Sequence, residues 1–276
     1  MTARFDAYTA TLKGPKPDDL AQLLFDQVGI GGQWSKAKGH HQFGERLSAK
    51  TAGGHEVGAV SYGGRHGDLL MLEVKGETSP AVVEALRARF PHKVTRVDSC
   101  ADFDAPGAFS RLYKACRAVK KAHRVMGGKA GDWEDFPEKG RTLYLGSKSS
   151  PNRARLYEKG LQPEYAHLRR ENWVRLEVQV RPKGQEAGLA YASLSALDVW
   201  GAGRWTRDLA AQVLQQHVEP HPSGSTYRLS EQETALRWMC KQYGSHLVGL
   251  AADLGSWECV GLTLREIIRE QKERGG

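Results

Sequence analysis

Three segments in the first two thirds of the chain alternate polar and apolar residues with the period of a β-strand. They are KVTRVDSCADFD (93–104), NRARLYEKG (152–160) and WVRLEVQVR (173–181). Successive strand residues point to opposite faces, so each segment is predicted to be a strand with one apolar and one polar face. The polar sets are Arg96, Asp98, Cys100 and Asp102; then Arg153, Arg155, Tyr157 and Lys159; then Arg175, Glu177, Gln179 and Arg181.

The remaining patterns predict an α+β protein. TLYLGSKSSPNRARLYEKG reads as a hairpin, and RFDAYTATL as an edge strand with Asp6 and Tyr8 on one face. The glycine-rich stretch 127–140 is predicted to be an irregular connection, and the pattern is helical from residue 185 onward. We therefore predict an antiparallel sheet with helices packed on one face, followed by an all-helical C-terminal region. The predicted domains are 1–184, for catalysis, and 185–276.

Positive charge is concentrated in one part of the chain. The 276 residues carry a formal net charge of +8, and residues 111–181 contain 17 basic and 8 acidic residues. The rest of the chain is nearly neutral. A local surplus of this size favours a polyanionic partner, above all nucleic acid, although a solvated basic surface gives the same pattern.

The sequence lacks the patterns of export, membrane insertion and metal-bound cysteines. It has no apolar run of about 18 residues, and its N-terminus has no apolar signal-peptide core. The four cysteines are far apart and form no CxxC pair, which favours reduced thiols packed in a core. We therefore expect a cytoplasmic location.

The three polar strand faces together have the composition of a phosphodiester-handling site. If the strands share one sheet, a phenol, carboxylates and several cations converge. A phenol with its usual pKa of about 10 needs cations or a metal to favour the phenolate. Asp98 and Glu177 are candidate ligands of a divalent cation, and Arg153, Arg155 and Lys159 are candidate phosphate clamps. The alternative interpretation is the solvated side of an ordinary sheet.

These residues resemble a known family. TRVDSCADF, TLYLGSKSSPNRARLYEKG and WVRLEVQVR, in this order across roughly residues 90 to 182, are similar to the replication initiation factor family. That family contains rolling-circle initiators of small plasmids and filamentous phages, and relaxases of some integrative conjugative elements. The resemblance implies a tyrosine that attacks one strand of origin DNA and leaves a 5′-phosphotyrosine and a free 3′-OH.

The resemblance also implies roles for individual residues. Tyr157 corresponds to the nucleophile, and Asp98, Glu177 and, less securely, Asp102 to ligands of Mg²⁺ or Mn²⁺. Cationic residues of the three strands would contact phosphate or stabilise the transition state: Arg96, Arg153, Arg155, Lys159 and Arg175. The chain has no nucleotide-binding signature, so such an initiator would depend on a host helicase and polymerase.

Further residues are candidate DNA contacts. Tyr144 is a rival nucleophile, but no cations alternate beside it on its own strand, which favours DNA stacking or packing. Lys148 lies in the hairpin turn. The basic side of the predicted helix 111–124 is expected to follow the backbone of duplex DNA, through Lys114, Arg117, Lys120 and Lys121.

The function predicted from the sequence is a metal-dependent DNA endonuclease and strand transferase that initiates rolling-circle replication. A conjugative relaxase with the same chemistry and a non-catalytic DNA-binding phage regulator remain as alternatives. The charged amphipathic helix at the end of the sequence is expected to pack or to form a homodimer.

Overall fold

The strands predicted from the alternating pattern form part of a large antiparallel sheet. The computed structural model describes residues 2–28, 32–136, 139–224 and 231–274, and in this part of the chain ten strands form one sheet. The sheet order is β2-β3-β4-β5-β1-β6-β10-β9-β8-β7. The strands are β1 (Arg4–Leu12), β2 (Gln33–Lys38), β3 (Glu45–Lys50), β4 (Glu56–Tyr62), β5 (Leu70–Lys75), β6 (Lys93–Asp104), β7 (Gly127–Ala130), β8 (Thr142–Leu145), β9 (Asn152–Glu158) and β10 (Trp173–Val180).

Helices that precede residue 225 cover the apolar side of this sheet: α1 (Pro17–Val28), α2 (Ser79–Arg89), α3 (Ala108–Ala122), α4 (Gly184–Ala190) and α5 (Arg204–Leu214). Two helices follow them in the described sequence, α6 (Glu231–Leu254) and α7 (Trp257–Arg274). In β10, Val174, Leu176, Val178 and Val180 are buried in the core, as their alternation predicts. Helix α3 contacts β8, β9 and β10 and buries its apolar stripe while its basic side stays exposed. The predicted α+β class, with its antiparallel sheet and C-terminal helices, is confirmed.

Two details of the predicted elements are wrong. The stretch 127–140 is not wholly irregular, because Gly127–Ala130 form β7 at the edge of the sheet; residues 137 and 138 lie outside the described residues. Strand β1 is not an edge strand, because it pairs with both β5 and β6. Strand β7 begins with two glycines, which have no side chain to give an alternating pattern. Alternation also does not show that β1 is an internal strand, because it reports burial on each face of a strand and not the number of neighbouring strands.

The chain divides into two compact units, residues 1–225 and 226–276. The change from strands to helices lies after β10, close to residue 184, and a catalytic domain ending there stays a prediction. In the second unit α6 and α7 contact each other and expose large apolar side chains, including Trp238, Val248 and Trp257. Among the described residues no single helix is long and apolar enough to cross a membrane, and only α6 and α7 taken together, bent by 111°, meet that length and composition.

The cysteines follow the expected core location only in part. All four are free thiols, and Cys100 and Cys116 are buried. Cys240 and Cys259 are exposed, so a core location is wrong for them. Both lie on the C-terminal helices, whose sides are largely exposed.

Candidate active site

Strands β6, β10 and β9 are neighbours, and their polar sides form one surface, which we call the polar face. Directly paired strand residues point to the same side of a sheet. Tyr157 lies opposite Arg175, which in turn lies opposite Asp102. Two residues along, Arg155 lies opposite Glu177. The next row contains Arg153, Gln179 and Asp98.

Arg175 is the centre of a buried ion-pair network on the polar face. Its side chain is 1% exposed, and its Nε and Nη2 donate hydrogen bonds of 2.7 Å to the two carboxylate oxygens of Asp102. Its Nη1 donates to Asp6 at 2.5 Å. Asp102 also accepts hydrogen bonds from Arg4 and from the indole of Trp173. This arrangement uses the planar fork of a guanidinium, so Arg175 is held rigidly beside Tyr157.

Asp6 reaches this network because β1 contains a β-bulge. The pairing of β1 with β6 shifts between Phe5 and Ala7, so that Asp6 and Tyr8 do not share a face. Tyr8 instead lies opposite Val97 in the core and its ring contacts Phe5 edge-on. The predicted common face and edge role of Asp6 and Tyr8 are therefore wrong. A bulge inserts one residue and reverses the alternation beyond it.

The other two acids are also held by arginines. Asp98 accepts two hydrogen bonds from Arg96 and one of 3.1 Å from Gln179, and Glu177 accepts one of 3.0 Å from Arg155. Because Gln179 lies opposite Asp98, Glu177 is a diagonal neighbour of Asp98 on the adjacent strand. The Cα atoms of such diagonal neighbours are typically about 7–8 Å apart. Among the described residues no three His, Cys, Asp or Glu side chains are grouped so as to hold a metal ion.

Glu177 has an unusual protonation equilibrium. Burial, and then the negative charge of Asp98, raise its pKa to about 7, against the lowering effect of Arg155. The carboxylate is 6% exposed. Removing a carboxylate from water disfavours its charged form, and a second acid adds to that cost. An incompletely neutralised acid, Glu177, therefore lies one row along the sheet from Tyr157, and Asp98 lies one row beyond it.

Tyr157 is buried with a cation against its ring. It is 4% exposed, and the guanidinium carbon of Arg155 lies 4.0 Å from the ring centroid. Burial, and then the charge of Glu177, raise its pKa above the usual 10, although Arg155 and Arg175 act in the opposite direction. The nearby cations therefore favour the phenolate, as expected, but burial outweighs them in the protein without ligands, so that the pKa is raised overall.

Lys159 does not continue the strand alternation. Strand β9 ends at Glu158, and Lys159 begins a 3₁₀ turn. Its ammonium lies 4.4 Å from the ring centroid of Tyr165 and 4.8 Å from that of Trp173. The side chain is 4% exposed, and burial, and then the charge of Arg175, lower its pKa. The prediction that Lys159 continues the alternating face of this strand is therefore wrong. Its buried ammonium instead forms cation–π contacts with two aromatic rings.

Tyr144 lies among cations that its own strand does not reveal. It pairs with Arg155 across the hairpin, and the guanidinium of Arg153 lies 4.2 Å from its ring centroid. Its own strand carries no alternating cations, as expected, and the cations around its ring come from the paired strand β9. With Arg96 and Glu177, these residues line a pocket of about 160 Å³. Lys148 is exposed in the hairpin turn and its carbonyl accepts a hydrogen bond from Arg181.

Two arginine donors beside this pocket are unsatisfied. The Nε atoms of Arg153 and Arg155 are buried and have no hydrogen-bond partner among the described residues. Buried donors are normally paired, and a guanidinium is well suited to bidentate contact with phosphate. An anion in the pocket would satisfy them.

The structure separates the predicted basic helix from the polar face. Helix α3 carries Lys114, Arg117, Lys120 and Lys121 and packs on the apolar side of the sheet, opposite Tyr157. Sequence analysis assigned Asp6 to an edge strand and did not identify Arg4, and both reach the site through cross-strand contacts. The one sequence feature that could have indicated their role is the presence of an acidic and a basic residue on the same face of a predicted strand.

A comparison with protein-family models identifies the family of the chain. The replication initiation factor family model matches residues 92–245, more than half of the chain. The chain therefore belongs to the replication initiation factor family. The match contains β6, β9 and β10 but not Asp6.

A solved structure is also similar to this chain. It is the rolling circle replication initiator protein from Geobacillus stearothermophilus, with a TM-score of 0.49 and 18% sequence identity over 72% of this chain and 83% of that chain. None of the curated proteins compared with the chain matches it.

Proposed function

We propose that this protein initiates rolling-circle DNA replication by nicking one strand of origin DNA, with Tyr157 as the nucleophile. The observation that carries the proposal is the position of Tyr157 on the polar face, between Arg155 and Arg175 and beside Glu177. This face lies within the stretch that matches the family. Rejoining of the strand after nicking requires a covalent intermediate that conserves the energy of the broken phosphodiester bond, and a phosphotyrosine is such an intermediate.

The proposed reaction is an in-line transfer of one phosphoryl group. The Tyr157 oxygen forms a bond with phosphorus, and the bond from phosphorus to the 3′-oxygen breaks. The 5′ end remains on the tyrosine, and the 3′-OH is free to prime synthesis. The proton lost by the phenol balances the proton gained by the 3′-oxygen. Attack of the 3′-OH on the phosphotyrosine reverses the sequence and rejoins the strand.

The arginines of the polar face compensate for the raised pKa of Tyr157. Arg155 and Arg175 both favour the charged phenolate, so they stabilise it as it forms during attack. Arg175 does this from a fixed position because Asp6 and Asp102 hold it. Arg155 has an unpaired Nε that supports contact with a phosphate oxygen. Lys159 adds a buried positive charge close to this network.

The acids of the polar face fit a divalent cation held partly by substrate. Mg²⁺ or Mn²⁺ commonly binds one or two carboxylates and completes its shell with water and phosphate oxygens. Asp98 and Glu177 fit this role, since the charge of Asp98 raises the cost of charging the buried Glu177 and a cation would relieve that cost. Asp102 fits it less well because the buried Arg175 occupies both its oxygens and Arg4 and Trp173 add further hydrogen bonds, whereas the arginine on Asp98, Arg96, is partly exposed. When bound, the ion would polarise the scissile phosphate and offset charge in the transition state.

The pocket beside Tyr144 is the proposed entry for the strand that is cut. Arg96 and Arg153 line it, and the unpaired Nε of Arg153 supports a phosphate contact. Tyr144 offers a ring on which a base can stack, and Lys148 extends the basic surface to the hairpin turn. A nicking protein of this kind depends on a separate helicase and polymerase to extend the 3′ end.

Covalent capture tests the proposal. The protein is incubated with Mn²⁺ and a tiled set of single-stranded oligonucleotides from the replicon that encodes it, and is separated by denaturing electrophoresis. We expect the wild type and Tyr144→Phe to form an SDS-resistant adduct and Tyr157→Phe to form none. The two variants remove the same hydroxyl from neighbouring strands, so they are matched controls. An adduct formed equally by Tyr157→Phe would overturn the assignment.

A further inference from the structure

A second basic surface lies on the helix side of the sheet, away from Tyr157. Helix α3, the edge strand β7 and its neighbour β8 line a groove of about 1140 Å³, which we call the α3 groove. Seven cations line it and none of its lining residues is acidic. Six of them are Lys114, Arg117, Lys120, Lys121, Arg124 and Lys129.

Within the described part of the chain, most of the positive charge of the α3 groove is not paired with acids. Among the described residues none of these six cations forms a salt bridge within 4.0 Å. A seventh, Arg141, is paired with both oxygens of Glu158 and belongs to the framework of the groove. Six like charges in one concave surface repel one another, and a bound polyanion removes that repulsion and releases counterions.

Aromatic rings lie among these cations. The ring centroids of Tyr113 and Trp133 are 5.1 Å apart, and both side chains are partly exposed. The indole of Trp133 is anchored by a hydrogen bond to the carbonyl of Ala130. The ammonium of Lys129 lies 4.2 Å from the centroid of Trp133 and 5.7 Å from that of Tyr113. A lysine side chain is flexible, so a base can replace its ammonium on the rings while the ammonium moves to a phosphate.

We propose that the α3 groove binds single-stranded DNA, in addition to the strand at Tyr157. The inference rests on the proposed function, because it assigns to the groove the unpaired strand next to the nick. Duplex DNA stacks its base faces against each other and offers only phosphates to such a groove. Single strands offer both phosphates and free base faces, which match the cations and the rings of Tyr113 and Trp133.

The route between the two surfaces is short. Leu143 lines the α3 groove and the next residue, Tyr144, lines the pocket on the polar face. Beyond them the sheet ends at the four-residue strand β7, where Gly128 pairs with Tyr144. A Cβ added to Gly128 would meet no atom within 4 Å, so the space at this edge is open. A single strand can therefore pass from the polar face around β7 into the groove.

Binding of a fluorescent oligothymidylate probe to the full-length protein tests this inference. The variants are Arg117→Gln/Lys121→Gln, which removes two exposed charges, and Tyr113→Leu, which removes a ring but keeps apolar bulk. Matched controls are Lys36→Gln/Lys38→Gln on the opposite edge strand β2 and Tyr62→Leu on β4. Circular dichroism melting confirms that each variant folds.

We expect both groove variants to weaken binding of the single strand. Two lost phosphate contacts should reduce affinity about tenfold at physiological salt and lower the slope of log K against log salt by about 1.4. Loss of one stacking ring should reduce affinity at least about fivefold. Both controls should bind like the wild type. A duplex probe should respond to the charge variant but not to Tyr113→Leu.

The outcomes separate the groove from the nicking reaction. Single-strand affinity that is unchanged in both groove variants overturns the inference, even where the wild type forms the Tyr157 adduct. A loss confined to the duplex probe also overturns it and assigns the groove to duplex DNA. Weakened single-strand binding in a protein that forms no adduct supports the groove while contradicting the proposed function.

Discussion

Replacing Glu177 by glutamine should stabilise the protein in a pH-dependent way. Glu177 is buried, and burial together with the charge of Asp98 raises its pKa from the ordinary 4.5 to about 7. Between these two pH values the folded protein keeps a proton that the unfolded chain has released. The free energy of unfolding therefore falls as pH rises through this window and levels off above about pH 7.

The size of the effect follows from the shift. At about 1.4 kcal/mol per pH unit, a change from 4.5 to about 7 corresponds to roughly 3 kcal/mol. Glutamine has nearly the same shape and no charge, so Glu177→Gln lacks this loss. The variant and the wild type should have similar stability at pH 4.5, and the variant should be more stable by about 3 kcal/mol at pH 8. For the unit of residues 1–225 this corresponds to a rise in Tm of roughly 6–12 °C.

Urea unfolding followed by tryptophan fluorescence at pH 4.5, 6, 7 and 8 measures this difference. Glu84→Gln, which replaces an exposed glutamate on α2, is the matched control and should show a difference that does not change with pH. Adding Mn²⁺ at pH 8 should stabilise the wild type more than Glu177→Gln. A difference that is independent of pH, or a variant that becomes less stable as pH rises, would refute the reasoning, because Arg155 would then outweigh burial.

Further predictions concern the two buried cations. Arg175→Met removes the buried cation that binds both Asp6 and Asp102 and leaves them the longer ion pairs with Arg4, so urea unfolding should show a loss of about 3–5 kcal/mol, and a loss below 1 kcal/mol would contradict the proposed network. Lys159→Met keeps the volume of a side chain that has no acidic partner within 4.0 Å among the described residues, so stability should change by less than about 1 kcal/mol. Its covalent adduct yield should nevertheless fall at least about tenfold, and full yield would remove Lys159 from the site.

The polar face was predictable because three strands each keep strict alternation over many residues. In β10, for example, helices bury one face completely, so apolar residues recur at every second position from Val174 to Val180. A one-residue shift would expose all of them, which makes such a pattern a strong constraint on register. The sharing of one face by Tyr157, Glu177 and Asp98 follows once the three strands are neighbours.

Other parts of the site could not be predicted, for identifiable physical reasons. The bulge between Phe5 and Ala7 reverses the alternation of β1 and brings Asp6 to Arg175, and no residue in RFDAYTATL marks it. The partners of Arg175 depend on which strands pair, which is a property of the whole sheet. Burial outweighs the effect of the cations on the pKa of Tyr157. The sequence pattern of one β-strand shows which residue types share a face but not how far each is removed from water.

The most direct test of the central claim is to locate the covalent bond between protein and DNA. The SDS-resistant adduct formed with Mn²⁺ is digested with protease and nuclease, and the modified peptide is sequenced by tandem mass spectrometry. The account predicts a nucleotide joined through its 5′-phosphate to Tyr157. A nucleotide on Tyr144 or on any other residue would contradict it.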